Sequence, residues 1–244
     1  MRKIRITLEY DGTRYAGWQL QENAETVQGA VEAALRKLLG RKVRVHGAGR
    51  TDAGAHALAQ VAHFLTSRPI PPGKIRAGAN AHLPPDVAVL AAEEAPDDFH
   101  ARFSSRGKVY RYLVLVRPAR SALLRDRAWR LAGPLNLRAM KLAAAPLLGR
   151  RDFSAFASAG GSVRDKTRSI KRIAIRRKGE GVEFEIEADG FLYKMVRNIV
   201  GTLVLAGQGK IPPAAVGDIL ASRDRTRAGP TAPARGLYLV KVIY

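Results

Sequence analysis

The sequence predicts an α+β protein made of two lobes, each of which combines helices with mainly antiparallel sheets. Segments in which every second residue is apolar occur between segments with a helical spacing of apolar residues, along the whole chain of 244 residues. Apolar residues make up 46% of the chain, as expected for a globular protein. Because the mixture repeats, we expect one lobe at residues 1–105 and a second at 106–244, a length that suits two modest domains.

The first lobe is predicted to contain four strands and two helices. Its first strand lies in "KIRITLEYDG", where apolar and polar residues alternate before an Asp-Gly turn. A helix follows in "TVQGAVEAALRKLLG", with Thr26 as its N-terminal cap and Gly40 at its end. We expect a second strand to begin at Val43 and Val45. Further strands are predicted in "ALAQVAHFLT" and "DVAVLAAEEA", with a short helix in "KIRAGANAHL" between them.

The second lobe is predicted to repeat this mixture of elements. It begins with a strand in "GKVYRYLVLV", followed by a helix in "NLRAMKLAAAPLLG" that has Leu148 among its inward residues. Pro146 should kink or shorten the last turn of that helix. A hairpin is predicted in "TRSIKRIAIRRK" and "GVEFEIEADG". Helices in "FLYKMVRNIVGTLVLAG" and "PAAVGDILAS" and a final strand in "GLYLVKVIY" complete the chain.

The charge of the chain predicts a polyanionic partner, most simply a nucleic acid. Residues 1–105 carry 14 basic and 11 acidic side chains, whereas residues 106–244 carry 28 and 10. The basic runs "RSIKRIAIRRK" and "ASRDRTRAG" are candidates for phosphate contacts. The chain has no cysteine, which excludes disulfides and thiolate catalysis and suits a reducing cytoplasm. No apolar run approaches the roughly 20 residues of a membrane span.

The segment "VRVHGAGRTDAGAHALAQVAHF" concentrates the residues that could carry chemistry. It is not a phosphate-binding loop, because no P-loop lysine follows and Asp52 stands where a dinucleotide fingerprint has its third glycine. A metal site would need His46, His56 and His63, but their separations suit neither a tight loop nor ligands one helical turn apart. Both readings are therefore disfavoured.

Two readings of "GAGRTDAG" stay open on the residues alone. Glycine and aspartate are common in tight turns, so the segment could be a plain connection. The glycines at 47, 49 and 54 would also let the main chain bend sharply and let a bulky ligand approach. Such a loop could present the carboxylate of Asp52 to a ligand, with the guanidinium of Arg50 beside it.

Two further features, a pair of tyrosines and an arginine, become candidates for a site if the partner is RNA. Tyr110 and Tyr112 share one face of a basic strand, and an aromatic ring there could stack on an unpaired base. The pair could equally be ordinary buried aromatics. Arg197 lies off the apolar stripe of its predicted helix, which is also typical of a solvated helix flank.

Five segments together resemble the tRNA pseudouridine synthases of the TruA type. In chain order they are "YDGTRYAGWQLQ", "GAGRTDAGAHALAQVAHF", "DDFHARFSSRGKVYRY", "FLYKMVRNIVG" and "GLYLVKV". The resemblance runs from about residue 4 to the C-terminus. The sequence departs from the family pattern at Lys194, where a histidine is common, and at Arg151 and Pro146.

The resemblance implies a pseudouridine synthase fold, with two lobes flanking a central basic cleft, and an activity. The family isomerises uridine to pseudouridine at positions 38, 39 and 40 of the tRNA anticodon stem-loop, without cofactor or metal, as a homodimer. Asp52 matches the catalytic aspartate and Arg197 the basic residue paired with it. Tyr110 matches the ring that contacts the target uridine, and Arg50 the arginine that helps displace it.

Two other functions remain as alternatives at this point. A non-catalytic RNA-binding protein could share the fold, in which case Asp52 would be dispensable. A nucleoside glycosylase would also need one carboxylate. The isomerase reading requires Asp52 to be ionised, which burial would oppose and a cationic partner such as Arg197 would favour. It also requires the uridine to leave its helix, at a cost that stacking on Tyr110 would partly offset.

Overall fold

The computed structural model describes residues 1–161 and 163–244, and these divide into two compact units. The first unit consists of Met1–Arg106 and Tyr238–Tyr244, and the second of Gly107–Leu237. The sequence reading placed the end of the chain in the second lobe. It lies in the first unit instead, because Tyr238 and Leu239 pair in parallel with residues of an early strand.

The predicted α+β class is confirmed. In chain order the strands and helices are β1 (Arg2–Tyr10), α1 (Val27–Leu39), β2 (His46–Gly47), β3 (His56–Thr66), α2 (Pro72–Asn80), β4 (Val87–Ala95), β5 (Gly107–Val116), β6 (Trp129–Leu131), α3 (Leu137–Ala144), β7 (Gly149–Asp152), β8 (Thr167–Lys178), β9 (Gly181–Ala188), α4 (Met195–Gly207), α5 (Ala215–Ser222) and β10 (Leu237–Ile243). None of the helices in the described ranges has the length and apolarity to span a membrane.

The sheets are mainly antiparallel, as expected. The strand order in the first unit is β4-β1-β3-β10, and the short β2 pairs with β3. The order in the second unit is β5-β9-β8-β7, and β6 pairs with β5. Pairing within the units is antiparallel except for β10 with β3 and β6 with β5.

The first unit forms where the local sequence signals agree. Alternation along β1 buries its apolar side chains, which are Ile4, Ile6, Leu8 and Tyr10. Helix α1 begins after Thr26, whose side chain accepts a hydrogen bond from the Gly29 N–H, and ends at Gly40 with a φ of 70°. Both predicted caps are therefore confirmed.

The second strand is much shorter than predicted and does not include Val43 or Val45. Its two residues are His46 and Gly47. The main-chain groups of Val45 bond to side chains of α1 instead of a strand: its N–H donates to Glu32 Oε1 at 3.0 Å, and its carbonyl accepts from Gln28 Nε2 at 3.1 Å. Because these partners satisfy Val45, the chain does not join the ladder until His46.

The second unit also follows the predicted order, except for two unpredicted strands and one side chain with the wrong orientation. Strands β6 and β7, of three and four residues, were not predicted. Helix α3 ends at Ala144, and Pro146 lies in the single 3-10 turn that follows, so the expected shortening is confirmed. Leu148 lies beyond this turn and is exposed, so its predicted inward position is wrong.

The basic side chains of β8 are partly matched by glutamates of β9. Apolar side chains of β9 are buried on one face, and its glutamates lie on the other. Arg172 lies 3.3 Å from Glu185, and Lys178 lies 3.2 Å from Glu183. Part of the basic run in β8 is thus neutralised within the sheet, although exposed ion pairs of this kind stabilise a fold little.

Candidate active site

The loop that carries Arg50 and Asp52 joins β2 to β3 in the first unit. It is fastened to β3 at its start. The Ala48 N–H donates to the Val61 carbonyl at 2.8 Å, and Gln60 Nε2 donates to the Gly49 carbonyl at 2.8 Å. The segment "AHALAQVAHF" that follows is strand rather than helix, which removes the dinucleotide-binding interpretation.

The segment "YDGTRYAGWQ" packs against this loop so closely that the two main chains form hydrogen bonds with each other. The Trp18 N–H donates to the Thr51 carbonyl at 3.1 Å, and the Gly54 N–H donates to the Tyr15 carbonyl at 3.2 Å. A Cβ on Gly12 would lie 1.8 Å from the Ala55 carbonyl oxygen, closer than any real side chain. The loop can therefore sit there only because residue 12 has no side chain.

Two neighbours of Asp52 fix its position in the loop. Thr51 is buried, and its hydroxyl lies 2.8 Å from that of Tyr10, which is also buried. Burial raises the pKa of Tyr10 far above its ordinary value, so the phenol stays protonated at physiological pH. On the other side of Asp52, the Ala55 N–H donates to the Asp52 carbonyl at 3.1 Å and closes a turn.

The side chains of Asp52 and Arg50 differ in exposure. Asp52 is half-buried, whereas Arg50 is exposed and donates from Nε to Gln19 Oε1 at 3.2 Å. A carboxylate held on a loop fixed from behind, with an exposed guanidinium two residues away, can be presented to a polyanionic ligand. If the loop were a plain turn, the hydrogen bonds that hold Thr51 and Ala55 on either side of Asp52 would have no function to explain them.

Tyr110 and Tyr112 lie on β5 in the second unit. Both are buried, but Tyr110 keeps 7% of its surface exposed and Tyr112 none. The Tyr110 ring meets Phe191 edge to face, with centroids 5.0 Å apart. The Tyr112 hydroxyl donates to the Pro233 carbonyl at 2.6 Å, so this residue is structural.

Arg197 lies in the first turn of α4 in the second unit. Its Nε donates to the Ala232 carbonyl at 2.7 Å, and its own carbonyl accepts from the Ala232 N–H at 3.1 Å. The side chain is half-buried. The reading of Arg197 as a solvated helix flank is therefore wrong, because the main chain of another segment holds it.

The histidines considered for a metal site have other contacts. His56 Nδ1 accepts from the Gly12 N–H at 3.1 Å, and its ring stacks on Tyr238 at 4.7 Å between centroids. The rings of His46 and His63 stack at 5.1 Å, and His63 Nδ1 accepts from the Ala101 N–H at 3.2 Å. In the part of the chain that the structure describes, no cluster of three or more histidine, aspartate or glutamate side chains is placed to hold a metal ion.

The structure thus brings Arg50 and Asp52 together on one loop of the first unit and places Tyr110 and Arg197 in the second unit. Sequence reasoning missed the support that Gly12 gives to the loop. The glycine spacing in "YDGTRYAGWQ" was a signal, although only the fold reveals which main chain approaches it. Sequence reasoning also missed Ala232, which as a small apolar residue carries no sequence signal.

Fold and site together define an α+β protein that holds one carboxylate on a glycine-rich loop fastened by hydrogen bonds to its main chain. The family described as tRNA pseudouridine synthase matches residues 6–104 and 143–244 of the chain. A protein from Ruminiclostridium cellulolyticum named tRNA pseudouridine synthase A is 48% identical over the full length of both chains. The protein of that name from Myxococcus xanthus is 49% identical over all of this chain and 92% of its own, and that from Geobacter sulfurreducens is 47% identical over 99% of both. The chain belongs to the tRNA pseudouridine synthase family.

Proposed function

We propose that this protein converts uridine to pseudouridine in the anticodon stem-loop of tRNA, at positions 38, 39 and 40. The observation that carries the proposal is the placement of Asp52, the lone carboxylate of a loop whose neighbours are fixed by Tyr10, Trp18 and Gly12. A turn without a function would not need a partly exposed carboxylate on so constrained a main chain. Membership of the family supplies the reaction class.

The reaction breaks the N1–C1′ bond of uridine, rotates the uracil and joins C5 to C1′. It needs an ionised carboxylate near the ribose and C6 of the base. Asp52 takes this role, either as a nucleophile or as the base that removes a proton from the sugar. Its fixed loop favours catalysis because little ordering remains to be done when the nucleotide arrives.

Three residues assist Asp52 in this proposal. Arg197 pairs with the carboxylate and orients it, since a guanidinium binds a carboxylate through its N–H donors. Tyr110 receives the extruded base, and its small exposed surface suits contact with one ring face. Arg50 is exposed and fills the gap that the uridine leaves in the stem. These roles are carried over from the family resemblance.

The basic excess of residues 106–244 binds tRNA phosphates in this proposal. The run "ASRDRTRAG" contributes less than its charge indicates, because Arg223 pairs with Asp152 at 3.1 Å and Arg225 donates to main-chain carbonyls. We also propose a cytoplasmic homodimer, as the resemblance implies. Light scattering in solution tests the dimer: twice the chain mass of 26.5 kDa is expected, and a mass of one chain would contradict it.

Tritium release from tRNA labelled at C5 of uridine tests the function. The isomerisation replaces the C5–H bond with a bond to C1′, so wild-type protein should release label in proportion to the pseudouridine formed. A protein that only binds RNA would release none. A glycosylase would liberate free uracil that still carries the label, and either result would overturn the proposal.

A further inference from the structure

Asn198, the residue after Arg197 in α4, is completely buried and uses both ends of its amide. Its Nδ2 donates to the Phe156 carbonyl at 2.8 Å. Its Oδ1 accepts from Arg225 Nη2 at 2.9 Å and from the Thr231 hydroxyl at 2.7 Å. A buried amide with all these partners cannot change its rotamer without leaving polar groups unsatisfied. Asn198 thus forms a fixed point next to Arg197.

Arg225 joins this fixed point to the segment 228–232. In addition to Asn198, its guanidinium donates to the Gly229 carbonyl at 3.1 Å and to the Thr231 hydroxyl at 3.0 Å. A guanidinium carries five N–H donors in a fixed planar group, so a single arginine side chain can serve these three acceptors at once. Removing it would leave the carbonyls and hydroxyl of this segment without the group that orders them.

The ordered segment lies directly on α4 and ends at the residue that holds Arg197. A Cβ on Gly201 would lie 1.8 Å from the Pro230 carbonyl oxygen, so the segment approaches the helix at a glycine. The Gly229 N–H donates to the Thr202 hydroxyl at 2.9 Å. Ala232 then makes two hydrogen bonds with Arg197. Its carbonyl accepts from Arg197 Nε at 2.7 Å, and its N–H donates to the Arg197 carbonyl at 3.1 Å.

The Ala232 carbonyl selects how Arg197 can meet a carboxylate. A guanidinium can bind a carboxylate side-on through Nε and one Nη, or end-on through both Nη groups. Because Ala232 accepts from Nε, the end-on arrangement is the one compatible with this contact. The orientation of the Arg197 side chain is thus set by the position of the Ala232 carbonyl.

We propose that Arg225 is a positioning residue that orients Arg197 for end-on contact with a carboxylate, through the segment 228–232. This inference rests on the proposed function, in which that carboxylate is Asp52. Arg225 itself does not touch the substrate. It belongs to a basic run of the kind that binds phosphates, but its donors point to Asn198 and to the segment.

A double-mutant cycle tests this role, with single-turnover rates and tRNA affinity as readouts. Arg225→Met should lower the rate by about 10- to 100-fold while tRNA affinity changes by less than about twofold. In an Arg197→Met background the same change should alter the residual rate by less than about threefold, because the group it positions is already gone. A merely structural role would give the same factor in both backgrounds.

Arg68→Met is the control, because Arg68 lies in the first unit and outside the basic excess of residues 106–244. Like Arg225, Arg68 donates to a main-chain carbonyl, that of Leu39 at 3.1 Å from Nε. Its rate should stay within about twofold of wild type. If Arg225→Met is unfolded at the assay temperature, Thr231→Val removes the contact of the segment with Asn198 and should show the same dependence on Arg197.

Three results would count against the inference. Equal rate losses in the two backgrounds, or a loss confined to tRNA affinity, would overturn the positioning role while leaving the proposed function intact. A wild-type protein that forms no pseudouridine would overturn the proposed function, and the inference with it.

Discussion

Replacing Gly12 with alanine tests whether the segment behind the loop fixes Asp52. The new Cβ would lie 1.8 Å from the Ala55 carbonyl oxygen and 2.7 Å from its carbon. Close-packed atoms do not tolerate such distances, so the main chain at Ala55 must move by roughly 1 Å or more. Since the Ala55 N–H bonds to the Asp52 carbonyl, this movement reaches Asp52.

The expected losses follow from that displacement. Overpacking at one buried site costs about 1–3 kcal/mol in the free energy of unfolding. A catalytic group displaced by about 1 Å can lose roughly 100-fold in rate. Gly12→Ala should therefore remain folded, because a domain has about 5–15 kcal/mol of stability, and yet form pseudouridine about 100 times more slowly.

The assay compares Gly12→Ala with Gly133→Ala in denaturant titrations and in tritium release. Gly133 is also a loop glycine, but a Cβ there would meet nothing within 4 Å. The control should match wild type in stability to within about 0.5 kcal/mol and in rate. If Gly12→Ala behaved like this control, the contact between residues 12 and 55 would not be what holds the loop.

The other predictions concern stacking on the target base, the pKa of His63 and the basic excess of the chain. Tyr110→Ala should lower the rate about 5- to 150-fold, the equivalent of the about 1–3 kcal/mol that stacking on a base contributes. Tyr110→Phe should keep most of the wild-type rate, because its ring can still stack. Equal losses in the two variants would exclude stacking as the main role. Burial, and then the neighbouring His100 and His46, lower the pKa of His63 to about 4. In the unfolded chain this histidine binds its proton near pH 6.5, so the free energy of unfolding should fall as the pH drops from 6.5 to 4. Denaturant titrations of His63→Gln should show a flatter pH dependence than those of wild type. Parallel curves for the two proteins would contradict this prediction. Affinity for tRNA should fall at least ~100-fold between 50 and 200 mM salt in filter-binding measurements, whereas a shallow dependence would mean that the basic excess is incidental.

Caps and apolar spacing in the sequence predicted the helices and strands whose defining signals lie within a few neighbouring residues. Helix α1 carries its caps and apolar stripe within 15 residues, and β1 its alternation within ten, so both were predictable. The prediction of a strand at Val45 was wrong because the side chains of Glu32 and Gln28 bind the main chain of Val45. No sequence pattern predicts such side-chain hydrogen bonds. The short β6 and β7 have too few residues to show a period.

The sequence was sufficient to propose the residues of the candidate site but not to find the residues that support them. The resemblance singled out Asp52 and Arg197 because their motifs are long and specific. Gly12 contacts Ala55, 43 residues further along the chain, and Ala232 contacts Arg197, 35 residues before it, so only the fold brings these supports to the site. Arg225 lies in a run that the sequence made a candidate for phosphate contacts, and its hydrogen bonds to Asn198 and Gly229 could not be read from a run of charges.

The rate of pseudouridine formation by Asp52→Asn tests whether the reaction needs the charge of this side chain. Asparagine keeps the shape of the side chain and removes its charge, so stability and tRNA affinity should match wild type. The rate should be at least ~1,000-fold lower, because the ionised carboxylate starts the reaction. A folded Asp52→Asn protein that releases tritium at the wild-type rate would show that the reaction does not depend on this charge.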